Sequence, residues 1–359
     1  MMLLSIENLR TYFYSRSRRA FVRSVDGASL ALARGETLGV VGESGSGKTV
    51  AALSAAGLVS GSPGVIGGRV EFDSRNLLDG LEGYVKVEER DARVMAVEKD
   101  ERGWGKRAES LMAGVRGKEI AMIFQNPRAA LNPYATVGAQ LVEAIRLHTK
   151  WKSKSEAKER ALHWLERVRI DSPRLRFDNF PFGMSGGMCQ RAMIAMALCA
   201  EPSLLIADEP TTGLDATIQA RIVELLEELK AETAITILLI SHDISVIRRI
   251  SDRVAVMYAG TVVESGAASQ VLRPHAAEQH PYTAALLASI PSAEAIRGKR
   301  ELRAIEGEVP DTIDRPRGCR FYGRCNRVTD AVRGRCANLE PPLAELAPGH
   351  KLRCWLHAA

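Results

Sequence analysis

One octapeptide constrains this chain more than any other stretch. Gly42-Glu43-Ser44-Gly45-Ser46-Gly47-Lys48-Thr49 fits the phosphate-cradling pattern GxxxxGK(S/T) and directly follows the apolar run Thr37 to Val41. Glycines let backbone N–H groups approach phosphate oxygens without side chains in the way, and the loop feeds into the positive end of a helix. The apolar run reads as a strand and Val50 to Leu58 as the helix. Gly42, Ser44, Gly45, Ser46 and Gly47 would line the cradle, Lys48 would reach the β and γ phosphates, and the Thr49 hydroxyl would ligate Mg²⁺. An α/β chain that binds a nucleoside triphosphate is the expectation.

About 140 residues further on stand Ser185-Gly186-Gly187-Met188-Cys189-Gln190-Arg191, then Ser203 to Pro210 with Asp208-Glu209, then Gly213-Leu214-Asp215, then Ile240-Ser241-His242-Asp243. The apolar run Leu204 to Ala207 reads as a buried parallel strand. It places Asp208 and Glu209 at a carboxyl end, where open α/β sheets bind ligands. There Asp208 can hold Mg²⁺ through water and Glu209 can polarise an attacking water. A second apolar strand, Ile235 to Ile240, delivers His242 to the same edge. Taken singly, paired carboxylates after a strand suit a helix N-cap and a lone histidine suits structure; the upstream loop favours catalysis.

With these motifs the chain resembles the nucleotide-binding subunits of ATP-binding-cassette (ABC) transporters, over nearly its whole length. The resemblance implies a P-loop ABC ATPase core with an inserted helical subdomain and a small C-terminal cysteine-rich extension. It implies ATP as the nucleotide and Glu209, His242 and Gln125 as catalytic residues. Ser185, Gly186 and Gly187 form the signature that meets the γ-phosphate held by a partner subunit, and Asp215 belongs to the same nucleotide site. Gln125, in Ile123-Phe124-Gln125-Asn126-Pro127, matches the loop glutamine that touches Mg²⁺ or the attacking water. Phe13 is the choice for an aromatic ring on adenine, with Tyr12 second; both also suit a half-buried edge strand. Cys189 stands where similar proteins commonly carry Arg, although Arg191 is close by.

The 359 residues exceed one typical domain, and no apolar run approaches the roughly 18 residues of a membrane helix. The start lacks a basic region and soon meets charge, so it does not read as a secretory signal. A net charge of +6 is small for this size and does not by itself call for nucleic acid. Residues 1–265 are assigned to the nucleotide-binding domain, with a helical subdomain at about 125–190. Ala157, Ala161, Leu162, Leu165 and Val168 recur there at helical spacing. A charged insertion at about 79–115, including Glu88, Glu89, Arg90, Asp91, Lys99 and Asp100, reads as surface without an assigned structure. Residues 266–359 form the extension.

Four of six cysteines, Cys319, Cys325, Cys336 and Cys354, lie in the last 41 residues. In a reducing compartment clustered thiols point to metal rather than disulfides, but the spacings do not match paired CxxC units. This segment, with His280-Pro281-Tyr282-Thr283, looks like the C-terminal region of ABC ATPases for oligopeptide and dipeptide uptake. The resemblance favours a 4Fe-4S cluster, with Zn²⁺ next and no metal third. It also implies a second, homologous ATPase, two membrane permeases, an extracytoplasmic binding protein and a place on the cytoplasmic face of the membrane. Cargo stays open among dipeptides, longer peptides, glutathione and nickel chelates. A soluble ABC ATPase acting on nucleic acid or ribosomes is the rival. The nucleotide chemistry reads as complete within residues 13 to 242, separate from the cysteines.

Overall fold

The computed structural model describes residues 1–90, 93–274, 276, 278–289 and 304–358. Asp91 of the charged insertion lies outside them. The chain divides into two compact units, one of Met1, Leu32–Thr37 and Ser110–Ser241, the other of Met2–Ala31, Leu38–Glu109 and His242–Ala359. Among the described residues no helix is long and apolar enough to cross a membrane.

In the second of these units, Leu38 to Val41 pair in parallel with Arg253 to Val256. These residues of the loop strand are buried throughout, as an apolar run covered on both faces must be. Strand Arg253–Tyr258 pairs antiparallel with Thr261–Ala267. That strand in turn pairs with His350–Leu352, and His350–Leu352 with Ala344–Ala347. The end of the chain thus adds strands to the sheet that carries the phosphate loop. A separate antiparallel pair, Met2–Ser15 with Pro63–Phe72, runs from Leu4 opposite Phe72 to Phe13 opposite Pro63.

The charged insertion is ordered. Val85–Arg90 and Arg93–Lys99 form an antiparallel hairpin, and helix Glu101–Met112 follows. Val85 and Val87 alternate with charged residues, but Val94 and Val97 stand three apart across a register irregularity between Glu88 and Glu89, and this break together with the high charge obscured the strand pair. Lys99, 6% exposed at its side chain, anchors the hairpin by donating to the Pro63 carbonyl with its ammonium over the Trp104 ring.

A buried carboxylate ties this unit together. Asp26 accepts from the Tyr12 hydroxyl at 2.7 Å and from Arg315 at 2.6 Å, with Arg320 at 3.6 Å and Arg23 at 3.8 Å. Glu340 joins through Arg320 at 3.0 Å and Arg315 at 3.5 Å.

The other unit has three parallel strands in the order Ile120–Ile123, Leu204–Asp208, Thr236–Ile240. Ile120 and Thr236 both align with Leu204, so the three strands end at one edge. Helix Lys154–Arg167 buries Ala157, Ala161, Leu162, Trp164 and Leu165, and the Ser153 hydroxyl caps it by accepting from Glu156 N–H. Helix Val137–His148 is capped likewise by Thr136. Helix Gly186–Leu198 opens at the signature, where Ser185 supplies its cap.

One buried pair makes the last strand of the phosphate-loop unit pH-sensitive. His350 Nε2 and Glu264 Oε1 stand 2.8 Å apart, and Glu264 Oε2 accepts from His280 N–H at 3.0 Å. The Glu264 hydrogen bond raises the His350 pKa against the opposing effect of burial. Burial pushes His280 down to about 3, so it is neutral; its Nδ1 accepts from Tyr282 N–H. A histidine raised above its unfolded value of about 6.5 stabilises fully below that value and loses this as pH rises through the folded pKa. We predict that melting temperature falls as pH rises through this window and that His350→Gln loses this component. An identical pH dependence in the variant contradicts the assignment.

Candidate nucleotide site

The phosphate loop fits against backbone. Gly47 has φ 96°, and a Cβ there would stand 2.3 Å from the Ser24 carbonyl oxygen; one on Gly42 would stand 2.2 Å from that of Met257. Helix Lys48–Ala55 begins directly after Gly47, two residues earlier than expected, and no side chain caps it. Its first N–H groups thus face the cradle, as anion binding requires. Lys48, 8% exposed, donates to the carbonyls of Gly42 at 2.8 Å and Glu43 at 3.1 Å, and to Ser46 Oγ at 3.4 Å. Ser46 is buried, Ser44 and Gly45 are exposed and Thr49 is half-buried. The narrow backbone cradle and folded-in ammonium fit a phosphate chain.

Beside this loop stand residues from far along the chain. Arg324 donates to both oxygens of Glu43, at 2.7 and 3.1 Å, and to the Tyr258 hydroxyl at 3.2 Å. The Glu43 hydrogen bond is the main cause of its raised pKa. Glu43 N–H donates to the Tyr282 hydroxyl at 2.8 Å. The expected separation of the nucleotide site from the C-terminal region is therefore corrected: residues beyond 242 hold the loop itself. No spacing in the sequence announces such long-range pairs.

Tyr12 is fully buried and its hydroxyl is spent on Asp26, which removes it as an adenine platform. Phe13 is half-buried, its ring next to Gly61, and remains available.

In the other unit Asp208 ends its strand 2% exposed. Glu209 follows with φ 48°, a left-handed conformation uncommon for its type, and its N–H donates to the Ile240 carbonyl at 2.9 Å. Its Oε2 accepts from Gln125 Nε2 at 3.1 Å and from the Thr212 hydroxyl at 2.8 Å. The aligned strand ends explain why Gln125 and Glu209 meet. Thr212 was not anticipated; its place three residues after the carboxylate was the available signal.

Ser185 is exposed, and its hydroxyl accepts from Met188 N–H at 3.3 Å. Gly186 is half-buried, and a Cβ on Gly187 would stand 2.9 Å from Ile218. Asp215 caps helix Ala216–Thr233, accepting from Ile218 N–H at 3.0 Å, so the capping role weighed for carboxylates falls to it. His242 is exposed. Cys189 is buried with its thiol on the Pro181 carbonyl, a packing role. Arg191 donates to the carbonyls of Arg169 and Val168, so it does not supply the missing cation at the signature.

Cys319, Cys325, Cys336 and Cys354 are free thiols lining one cavity, beside His280 and Phe321. Gly318 permits this: a Cβ there would stand 2.1 Å from the Cys336 carbonyl, which accepts from Cys319 N–H at 2.8 Å. Burial pushes Cys319 up to about 12 and Cys354 to about 11, and raises Cys325 and Cys336. The donor set, four thiols on one cavity, suits a thiophilic metal. Among the described residues no group of three or more His, Cys, Asp or Glu stands in a metal-holding arrangement.

An uncapped phosphate cradle together with a carboxylate held at parallel strand ends defines a nucleoside-triphosphate hydrolase of the cassette type. Residues 25–212 match the family described as ABC transporter, and residues 263–331 match the oligopeptide/dipeptide transporter C-terminal region. The dipeptide transport ATP-binding protein DppD of Escherichia coli is 40% identical over 99% of this chain and 96% of its own length. The oligopeptide transport ATP-binding protein AppD of Bacillus subtilis is 39% identical over 99% of this chain and 97% of its own. The dimeric cassette MJ0796, bound to ADP and Pi in a post-hydrolysis state, matches in fold with TM-score 0.59 at 23% identity, covering 74% of this chain and 98% of that one. The chain belongs to the ABC transporter family, in its group of dipeptide and oligopeptide transport ATP-binding proteins.

Gly47→Ala is expected to lower the urea midpoint, since the left-handed backbone alone costs about 1–2 kcal/mol before the clash with Ser24 is relieved. An unchanged midpoint would mean that the loop does not sit against Ser24.

Proposed function

We propose that the chain is the ATP-hydrolysing subunit of an importer for dipeptides or oligopeptides, working at the cytoplasmic face of the membrane. The observation that carries the catalytic part is the Glu209 carboxylate, oriented by the Gln125 amide and the Thr212 hydroxyl. The match to peptide-transport ATP-binding proteins over nearly the whole chain supports the cargo class over a soluble ATPase acting on nucleic acid or ribosomes.

In this reading Gly42 to Gly47 cradle the phosphates, Lys48 neutralises them and Phe13 stacks on adenine. Thr49, Asp208 and Gln125 are the residues that would hold Mg²⁺, which would supply charge neutralisation on the phosphate oxygens. Glu209 accepts a proton from the water that Gln125 helps place, and His242 assists at the γ-phosphate. Ser185, Gly186, Gly187 and Asp215 serve the nucleotide of a second, homologous ATPase. Two permeases and an extracytoplasmic binding protein complete the assembly. The functional boundary between cassette and C-terminal region falls at about residue 265.

Glu209→Gln keeps the side chain's size and loses its basic oxygen. Reconstituted with its partners, this variant is expected to bind ATP and to lose turnover by about 100-fold or more, the scale of a general base. Near-normal steady-state hydrolysis would remove Glu209 from this role.

The four thiols on one cavity support a further reading, a 4Fe-4S group with Zn²⁺ second, which would brace the C-terminal region. Anaerobic purification should yield iron and inorganic sulfide in equal amounts. Zinc without sulfide refutes the cluster, and metal-free protein refutes both metals.

A further inference from the structure

The C-terminal region places one guanidinium against the phosphate loop. Arg324 lies in the short helical turn Tyr322–Arg324 that leads into Cys325, and its side chain is 6% exposed. Besides Glu43 and Tyr258 it donates to the carbonyls of Glu306 at 2.9 Å and Ile305 at 3.3 Å. Both anchoring segments therefore belong to the C-terminal region, and the group they aim is planar and bidentate. Such a pair fixes orientation as well as charge.

Glu43 is held at every polar group it has. Its carboxylate is held by Arg324, its N–H by Tyr282, and its carbonyl accepts from Lys48 at 3.1 Å and from Ser46 N–H at 3.2 Å. The last two contacts matter most, because Lys48 and Ser46 belong to the phosphate cradle. Displacing Glu43 displaces the carbonyl on which the Lys48 ammonium rests. Glu43 is also a negative charge on a loop that must receive a polyanion. Left without its counter-ion, it would repel the incoming phosphates within a Debye length, about 10 Å. Tyr258 and Tyr282 pack beneath, ring centroids 4.5 Å apart, and Phe321 meets both. The same aromatic block thus supports the loop and the segment that carries Cys319 and Cys325.

We propose that Arg324 is a positioning residue for the nucleotide site: through Glu43 it sets the charge and shape of the phosphate loop, so the C-terminal region governs nucleotide affinity. This rests on the ATPase reading. Arg324 touches no reacting atom, so its loss weakens binding of substrate and transition state alike, raising KM with kcat nearly unchanged.

The test is MgATP titration of the full-length chain, with kcat and KM from the assembled transporter. Arg324→Gln should weaken MgATP affinity by roughly tenfold, the scale of one lost charge-assisted pair. Arg324→Lys, which keeps the charge and loses the fork, should fall between. Glu43→Gln removes the charge that Arg324 pairs with, so in its background Arg324→Gln should have a much smaller effect than in the wild-type chain, since no unpaired carboxylate is left. Equal weakening in both backgrounds, wild-type affinity in Arg324→Gln, or a fall in kcat at constant KM overturns the proposal. Should Arg324→Gln fail to fold, the Lys variant with and without Glu43→Gln decides by the same comparison. A wild-type chain that binds no MgATP refutes the ATPase reading itself, whereas wild-type binding with unaffected variants refutes only the role of Arg324.

Discussion

The nucleotide-loop unit depends on one buried carboxylate. Asp26, 8% exposed at its side chain, is held by a tyrosine hydroxyl and three arginines from separate stretches of chain. Burial alone would raise its pKa, but Arg320 and Arg315 hold it below the usual range, so it stays ionised. Its contribution is present above the unfolded value of about 3.9 and lost as pH falls through the folded one. Breaking a buried pair by removing one partner typically costs about 3–5 kcal/mol, because the other charge is stranded. The phosphate loop stands downstream of this knot. Asp26 N–H donates to Gly260 at 2.8 Å, Arg320 donates to the carbonyls of Asp26 and Ala259, and Gly47 packs on neighbouring Ser24.

The C-terminal region is consequently part of the nucleotide unit rather than an appendage. Arg315 and Arg320 neutralise Asp26, Arg324 holds Glu43, and His350–Leu352 extends the sheet. Four buried or half-buried thiols lie on this same scaffold.

What could be read from the sequence was whatever a local pattern encodes. Continuous apolar runs ending in Asp208 and Ile240 marked the buried parallel strands, because both faces are covered. The glycine spacing around Lys48 marked the loop, because backbone must come close. The start of the phosphate-loop helix was misjudged by two residues, since Gly47 precedes it without a side-chain cap. The unread part was nonlocal. Arg324 with Glu43 spans 281 positions and Arg315 with Asp26 spans 289, and nothing in either segment alone names its partner. The hairpin at Val85–Lys99 was hidden for another reason: its charges outnumber its valines, whose alternation is broken by a register irregularity.

The cap at Ser185 has a chemical polarity. Its oxygen accepts from Met188 N–H, so its own proton is left to point elsewhere, and the exposed signature turn offers a donor to whatever approaches. An aspartate would hold the helix end equally well by the same geometry, yet would present a negative charge instead of a hydrogen. Helix stability therefore does not discriminate between the two, and only the sign of the approaching surface does; serine at this turn suits an anion.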